Sequence, residues 1–457
     1  MRKRDLAVAI IADDLSGGAD CGVAFAHAGL DVAIQLDRRA VAPSWARVAV
    51  VPTDSRDEGP GEARTAVAEA VTAVAHCRPA LWYKKIDSTL RGHLSLELVA
   101  TIRGVRPDLS VVASAFPAHG RTMIGGHGFL NGVPLDRTEV WRAQGIAGTA
   151  DLPAMLRADG LRVRALRLDD IRAGRVAESL AAAAGATDVV VCDAETEDDL
   201  EAIAAGGLAS GRNVLWAGSA GLAMHLAPLL TASQSTESPG TASQSGDGIG
   251  DEGGRRPVVV VVGSAAGAAA GQLRHLESRP GTRVVRVRPA ALLAAAVSGA
   301  GGAPGADADP ADAAEVAAAD REIAEALTRG QDVAIGIVPP GSPDELVLDA
   351  RTSRALSRAL GQIVGRHNHM IGGLVLTGGD TAMAVLRACG VSTLRPVGEV
   401  VTGVPVSSCP DGRLAVTKAG AFGDDKVLAR AVDVLRGGDD RFRDARSMER
   451  NHFRVRF

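Results

Sequence analysis

The segment Leu6-Ala7-Val8-Ala9-Ile10-Ile11-Ala12-Asp13-Asp14-Leu15-Ser16-Gly17-Gly18-Ala19-Asp20 sets the class of the fold. Its apolar run over residues 6–11 does not alternate with polar residues, which is the pattern of a strand covered on both faces. The run ends in two carboxylates and a set of small residues that lead into a helix. Similar runs recur at 31–36, 47–53, 81–86, 109–114, 163–168, 187–192 and 213–216, and later at 257–263, 283–287, 332–338 and 373–377. Longer Ala/Leu-rich helical stretches separate them. Strands alternating with helices predict two α/β domains with mostly parallel sheets. In such sheets ligands bind beyond the carboxyl ends of the strands, so the residues just after each run carry the functional information.

The chain has 457 residues, 46% of them hydrophobic, and a formal net charge of −4. That length predicts two or three domains, and the charge offers no basic footprint for nucleic acid. No apolar run is long enough to span a bilayer, and the opening MRKRDLAVAIIADD reads as a first strand rather than a signal peptide. Cys21, Cys77, Cys192, Cys389 and Cys409 are scattered, with no CxxC pair, which indicates neither a disulfide framework nor a structural zinc site. A cytoplasmic protein is expected. The clearest boundary is residues 231–256, rich in Ser, Gly, Thr and Gln and repeating TASQS at Thr231 and Thr241, which predicts a flexible linker. Domains are expected at 1–230 and 257–440, with a tail at 441–457 and a tolerated insertion at 298–320. Lysine occurs only at Lys3, Lys84, Lys85, Lys418 and Lys426 in a chain that otherwise uses arginine, so these positions mark where a compact ammonium is wanted.

Asp13 and Asp14 can accept hydrogen bonds from several hydroxyl groups, and the small residues behind them open a helix N-terminus to an anion. As plain structure, the same segment is an acidic turn with Ser16 as the helix cap. A second cluster, Lys84-Lys85-Ile86-Asp87-Ser88-Thr89-Leu90-Arg91-Gly92-His93, suits a polyhydroxy acid. Arg91 can grip a carboxylate bidentately while Asp87 takes hydroxyl protons; the structural alternative is a helix capped by Ser88. Residues 116–134 read as a long loop, a feature often functional in compact domains, with His127 as a hydrogen-bond donor. Farther on, Gly263-Ser264-Ala265-Ala266-Gly267, Gly378-Gly379-Asp380-Thr381 and Lys418-Ala419-Gly420-Ala421-Phe422-Gly423 each set glycines at a strand-to-helix turn. Such turns can cradle phosphates with backbone N–H groups, and Lys418 can supply a counter-charge. GxxxxGK[ST] is absent, which excludes a Walker P-loop. His367-Asn368-His369 reads as a polar turn rather than a metal site, and Trp82 and Trp216 as core.

In this order, IADDLSGGAD, KKIDSTLRGH, GRTMIGGHGFLNGVPL, WAGSAGLA, VVGSAAG, LTGGDTA and KAGAFG resemble the four-carbon acid sugar kinase family, formerly a domain family of unknown function. The resemblance covers nearly the whole chain. It implies an N-terminal sugar-acid domain, a C-terminal ATP domain, an active site in the interdomain cleft, and Mg²⁺ accompanying the nucleotide. By position it implies Asp13, Asp14, Lys84, Asp87 and Arg91 at the acid. At ATP it implies Ser264, Gly378, Gly379, Asp380, Thr381, Gly420 and Gly423, with Lys418 beside them. The base for the substrate hydroxyl is a carboxylate, and Asp14, Asp87 and Asp380 remain open for that role. Erythronate, threonate and 3-oxo-tetronate are the substrates implied. Two departures leave the acid open: Val140-Trp141 follows Thr138-Glu139 where many relatives carry Asp-Pro shortly after the Thr, and Leu15-Ser16 replaces Phe/Tyr-Thr.

A small sugar acid is thus the expected partner, without nucleic acid or membrane, and the sequence leaves a homo-oligomer open. A nicotinamide-dependent oxidoreductase would end a strand in GxGxxG, and none here does. A non-catalytic sugar-acid sensor would have no use for intact TGGDT and KAGAFG turns.

Overall fold

A computed structural model of the chain describes residues 5–143, 146, 148–232, 256–263, 267–298, 309–337, 349–420 and 422–437. They form two compact units, one ending at residue 232 and one beginning at residue 256. The first unit holds strands β1 (Val8–Ala12), β2 (Val32–Gln35), β3 (Val48–Pro52), β4 (Leu81–Lys85), β5 (Leu109–Ala113), β6 (Arg121–Ile124), β7 (His127–Leu130), β8 (Val133–Pro134), β9 (Val163–Leu166), β10 (Val189–Cys192) and β11 (Val214–Gly218). Its main sheet runs β2-β3-β1-β4-β11-β5-β10-β9, and every pairing within it is parallel.

The continuous apolar runs are explained by burial on both faces. Ala9 and Ile11 pack with Val67, Ala70, Val71 and Val74 of the helix Pro60–Ala75. Helix Leu15–His27, which buries Leu15, Ala19, Val23 and Phe25, packs against β2 and β3. Each fully buried aliphatic side chain contributes about 1.5–3 kcal/mol, which is why apolar residues dominate these strands. From β1 the chain goes to one side for β2 and β3, then crosses to the other for β4. The direction of winding therefore reverses between β1 and β4, the position where open α/β sheets bind ligands.

The second unit holds β12 (Val258–Val262), β13 (Thr282–Val287), β14 (Asp332–Ile337), β15 (Gly373–Thr377), β16 (Thr393–Glu399), β17 (Pro405–Ser408) and β18 (Leu414–Lys418). Its order is β13-β14-β12-β15-β18-β17-β16, parallel from β13 to β18 and antiparallel for the last two pairings. Val258, Val260 and Val262 pack with Leu273, Leu276, Leu428, Val432 and Leu435. Winding reverses here between β12 and β15. Both units thus present the same kind of crevice at the same end of their strands.

The structure departs from expectation in three respects. Residues 116–134 are not an open loop: β6, β7 and β8 form a separate antiparallel sheet. The helix expected to open at Ser88 opens at Leu94, because Leu90 (φ 59°) and Gly92 (φ 82°) take left-handed conformations that no helix interior accommodates. The strands β16–β18 were not read from the sequence. Residues 233–255 of the expected linker, 299–308 of the expected insertion and the tail 441–457 lie outside the described residues; Thr231 and Ala232 end the helix Ala220–Ala232. All five cysteines are buried and free. No helix among the described residues is long and apolar enough to cross a membrane.

Candidate functional site

Ala12 and Lys85 are in-register neighbours across β1 and β4, so the segments that follow these two strands meet at the first crevice. Asp14 caps the helix Leu15–His27, its Oδ1 accepting the Gly17 N–H at 2.9 Å. Gly17 leaves room for both groups: a Cβ there would stand 2.7 Å from Asp14 Oδ1 and 2.8 Å from Lys85 Nζ, so those side-chain ends would have to shift. From the loop after β3, Arg56 donates Nε to Asp13 Oδ2 (2.7 Å) and Nη1 and Nη2 to the two oxygens of Asp14 (3.0 Å each). Arg91 donates Nε and Nη2 to Asp87 (2.8 and 2.7 Å), whose Oδ2 also accepts from the Thr89 hydroxyl and N–H.

Strand parity separates the two lysines. Lys84 is level with Ile11 and Lys85 with Ala12, so they project from opposite faces of the sheet. Lys84 meets Glu97 of helix Leu94–Val105 at 2.7 Å, with both side chains almost wholly buried. Glu97 accepts the Ser55 hydroxyl (2.6 Å), and the Ser55 N–H bonds the Asp13 carbonyl (3.0 Å). Lys84 therefore acts on the backbone that carries Asp13. Lys85 lies on the Asp14 side, donating to the Ile86 carbonyl at 2.8 Å.

These groups hold one another charged. Burial pushes the Asp13 carboxyl up, but Arg56, Lys84 and Lys85 together outweigh it and hold the group below the usual carboxylate range. Burial opposes ionisation of Asp87 too, and Arg91, then Arg56 and Lys85, hold it well below that range. Lys85 is raised, since Asp13 and its neighbouring anions overcome the burial that disfavours its charge. Asp13 Oδ1 is buried and accepts no hydrogen bond from the described residues. An unfilled buried acceptor costs about 1–3 kcal/mol, so a ligand hydroxyl there is favoured.

In the second unit Val262, Thr377 and Lys418 lie level across β12, β15 and β18. Gly263, Gly378 and Ala419, which directly follow these residues, therefore stand side by side at one edge. Gly378, at φ 89°, is the N-cap of helix Gly379–Ala388 and has no side chain to cap it, which suits its first N–H groups to an anion. Lys418 is buried, donates only to the carbonyls of Ala419 and Gly420 (2.9 and 2.8 Å), and has no carboxylate partner among the described residues. Burial brings its pKa down to about 8. The Gln272 amide fixes the following loop by donating to the carbonyls of Phe422, Gly423 and Asp424 (3.0, 3.2 and 3.2 Å).

Of the residues singled out in sequence, Asp13, Asp14, Asp87 and Arg91 come together, as do Gly378, Gly379, Asp380, Lys418, Gly420 and Gly423 at the second edge. Ser264 lies outside the described residues. Other residues are placed differently from expectation. The Arg91 fork expected to hold a ligand carboxylate is filled by Asp87, one helical turn away in sequence. Lys84 faces Glu97 rather than the crevice. Thr381 turns its hydroxyl to Ser357 (3.2 Å) and against Gly263, where a Cβ would lie 2.0 Å from Thr381 Oγ1; Gly263 is required by packing. Asp14, not Ser16, caps the first helix. His127 is exposed, 3.8 Å from Asp151, and His367 pairs with Asp320 at 3.0 Å. Trp216 is buried and Trp82 partly so. Arg56, Lys85 and Glu97 were not assigned. Lys85 could have been found from strand parity, whereas nothing local marks Arg56.

Residues 8–226 match the model of a sugar-binding N-terminal domain and residues 259–428 that of a nucleotide-binding C-terminal domain. The chain is 37% identical to the D-threonate kinase of Cupriavidus necator, over 93% of this chain and 97% of that protein. It is 30% identical to the D-erythronate kinase of Heliobacterium modesticaldum, over 94% and 97%. A solved structure from Salmonella typhimurium LT2 superposes with a TM-score of 0.71 at 17% identity, covering 93% of this chain and 98% of its own, a likeness of fold alone. A sugar-binding half, a nucleotide-binding half in that order, and identity sustained over more than nine-tenths of both proteins make this chain a member of the four-carbon acid sugar kinase family.

Proposed function

We propose that the chain is an ATP-dependent kinase that phosphorylates a hydroxyl of a four-carbon sugar acid of the threonate or erythronate type. In this reading the first unit binds the acid, the second binds ATP, and residues 231–256 join them. The observation that carries it is Asp13, whose buried Oδ1 is unpartnered while Arg56, Lys84 and Lys85 keep the group ionised. Such an oxygen accepts a substrate hydroxyl and orients it. Both oxygens of Asp14 and of Asp87 are already engaged, so Asp13 is the better acceptor for the proton. As the substrate oxygen bonds to the γ-phosphorus, the β–γ bridging bond breaks, ADP leaves, and the hydroxyl proton passes to Asp13 Oδ1. A carboxylate of low pKa is adequate, because phosphoryl transfer has a loose transition state that asks little prior deprotonation.

On the nucleotide side, the first N–H groups of helix Gly379–Ala388 and the Lys418 ammonium would receive the phosphates, which in turn would restore the charge that burial disfavours on Lys418. Magnesium is usually held through one or two carboxylates together with substrate phosphates. Asp380, in the first turn of that helix, is the carboxylate that fits this role; a bound Mg²⁺ would supply charge neutralisation. The test is ADP release with the D and L forms of threonate and erythronate. At least one should be turned over above the rate without acid. Asp13→Asn should lose about 10²–10⁴-fold in kcat while nucleotide affinity holds. No acid-dependent turnover would refute the reading.

A further inference from the structure

A sugar acid carries a carboxylate, and most of the cations around the first crevice are already committed. Arg56 is held by Asp13 and Asp14, Arg91 by Asp87, and Lys84 by Glu97. Lys85 is directed to a backbone carbonyl and surrounded by anions. Arg121 differs from all of these. Among the described residues its guanidinium makes one hydrogen bond, from Nη1 to the His119 carbonyl at 3.1 Å, and its buried Nε has no partner. A buried donor left open costs free energy in the same way as an open acceptor.

The mount for this side chain is rigid. Arg121 opens β6, and its N–H and C=O pair with Phe116 (3.1 and 2.8 Å), closing the short turn that follows β5 at the ligand-binding end of the sheet. Both backbone groups of Met123 pair with Ala194 (2.8 and 2.9 Å), and the buried Asp193 carboxylate accepts the N–H groups of Gly125 and Gly126 (2.9 and 2.8 Å). Ala118 is tied in turn to Glu197 (2.8 Å). The small antiparallel sheet is therefore a fixed arm that carries one under-satisfied guanidinium.

We propose that Arg121 is the residue that binds the substrate carboxylate, through the Nε edge of its guanidinium, and so confers the preference for an acid over a neutral polyol. The proposal rests on the sugar-acid kinase reading above. Burial, helped by the neighbouring Arg91, disfavours the charge of Arg121 while Asp87 and Asp20 support it; an incoming carboxylate would relieve that burden. A planar edge with parallel donors matches a carboxylate as an ammonium cannot.

The experiment compares D-threonate and D-erythronate with their neutral amides in wild type, Arg121→Lys and Arg121→Gln. Nucleotide Kd and tryptophan fluorescence are measured on the same samples. In wild type the acid should be preferred over its amide. Arg121→Gln should lose about 30- to several-thousand-fold in kcat/KM for the acid and little for the amide. Arg121→Lys should restore only part of the loss, and nucleotide affinity should be unchanged in both variants. An acid-to-amide ratio as in wild type in either folded variant overturns the proposal, as does a loss confined to nucleotide binding. An inactive wild type would instead sink the kinase reading itself.

Discussion

Replacing Arg56 by Met removes the guanidinium and keeps most of the side-chain volume. Arg56 makes one hydrogen bond to Asp13 and two to Asp14, with its side chain 14% exposed and the two carboxylates 5% and 9%. Breaking a buried pair from one side costs about 3–5 kcal/mol. The unpaired carboxylate can escape by taking a proton, and that route has its own cost. From an ordinary carboxylate pKa of about 3.9, protonation at pH 7.5 costs about 5 kcal/mol at about 1.36 kcal/mol per pH unit. The two routes are comparable near neutrality, so the loss there should be about 3–5 kcal/mol. At pH 5.5 protonation costs only about 2 kcal/mol, and the loss should shrink.

The direction of the pH dependence is the sharper test. In the wild type Asp13 and Asp87 are depressed, so their stabilisation is fully present above the unfolded carboxylate value and is lost as pH falls through their folded values. Between pH 5.5 and 7.5 they leave stability flat. Without Arg56, Lys84 and Lys85 alone oppose the burial of Asp13, so its carboxyl rises; wherever the folded state holds a proton that the unfolded state has released, stability falls as pH rises. A full proton difference sets the limit of this slope at about −1.4 kcal/mol per pH unit. All four tryptophans, Trp45, Trp82, Trp141 and Trp216, lie in the first unit, so urea unfolding followed by tryptophan fluorescence reports on that unit alone. With a urea slope of about 3 kcal/mol per molar, the midpoint at pH 7.5 should drop by roughly 1–1.7 M. A drop below roughly 0.3 M, with a slope against pH equal to that of wild type, would refute the reasoning.

Three other outcomes follow from the geometry. Gly378→Val forces a β-branched residue to φ 89° and should weaken nucleotide binding, read by calorimetry, while Asp13-dependent binding of the acid persists. Because burial brings Lys418 to about 8, wild-type nucleotide affinity should fall as pH rises from about 7.5 to 9, and Lys418→Met should be weaker at neutral pH and flat across that range by the same titration. Lys84→Met leaves Glu97 charged and unpaired and should destabilise the first unit by about 3–5 kcal/mol. Adding Glu97→Leu should recover part of that in urea unfolding, although the Ser55 hydroxyl then loses its acceptor.

The strands were legible because burial on both faces leaves a signature in consecutive residues, and the residues after them because parallel sheets bind ligands at that edge. Arg56 was not, since its role depends on β1 and β3 lying side by side, about forty positions apart in sequence. The small antiparallel sheet had a signal that went unread. Gly125-Gly126 and Asn131-Gly132 are dipeptides suited to tight hairpin turns, and all four residues take positive φ (65°, 82°, 50° and 78°). Its strands are short and only partly buried, so they lack the apolar runs that marked the main sheet. Motif reading overstated Arg91, because a bidentate arginine is satisfied as well by a carboxylate four residues away as by one on a ligand.

The scarce lysines play a matching part in each unit. Lys85 ends β4 and Lys418 ends β18, and each is buried with its ammonium folded over the carbonyl of the next residue, at 2.8 and 2.9 Å. A bulky planar guanidinium could not turn back so tightly. Their surroundings are opposite. Lys85 stands among carboxylates that raise its pKa, so its charge is spent holding Asp13 ionised for a hydroxyl. Lys418 has no carboxylate partner among the described residues, and burial lowers its pKa to about 8. The same strand-end device thus gives a charge-compensated pocket in the first unit and an electrically unsatisfied one in the second. Polyhydroxy compounds suit the former, where hydrogen bonds to ionised groups do the selecting. Polyphosphates suit the latter, where the ligand brings the negative charge the protein lacks.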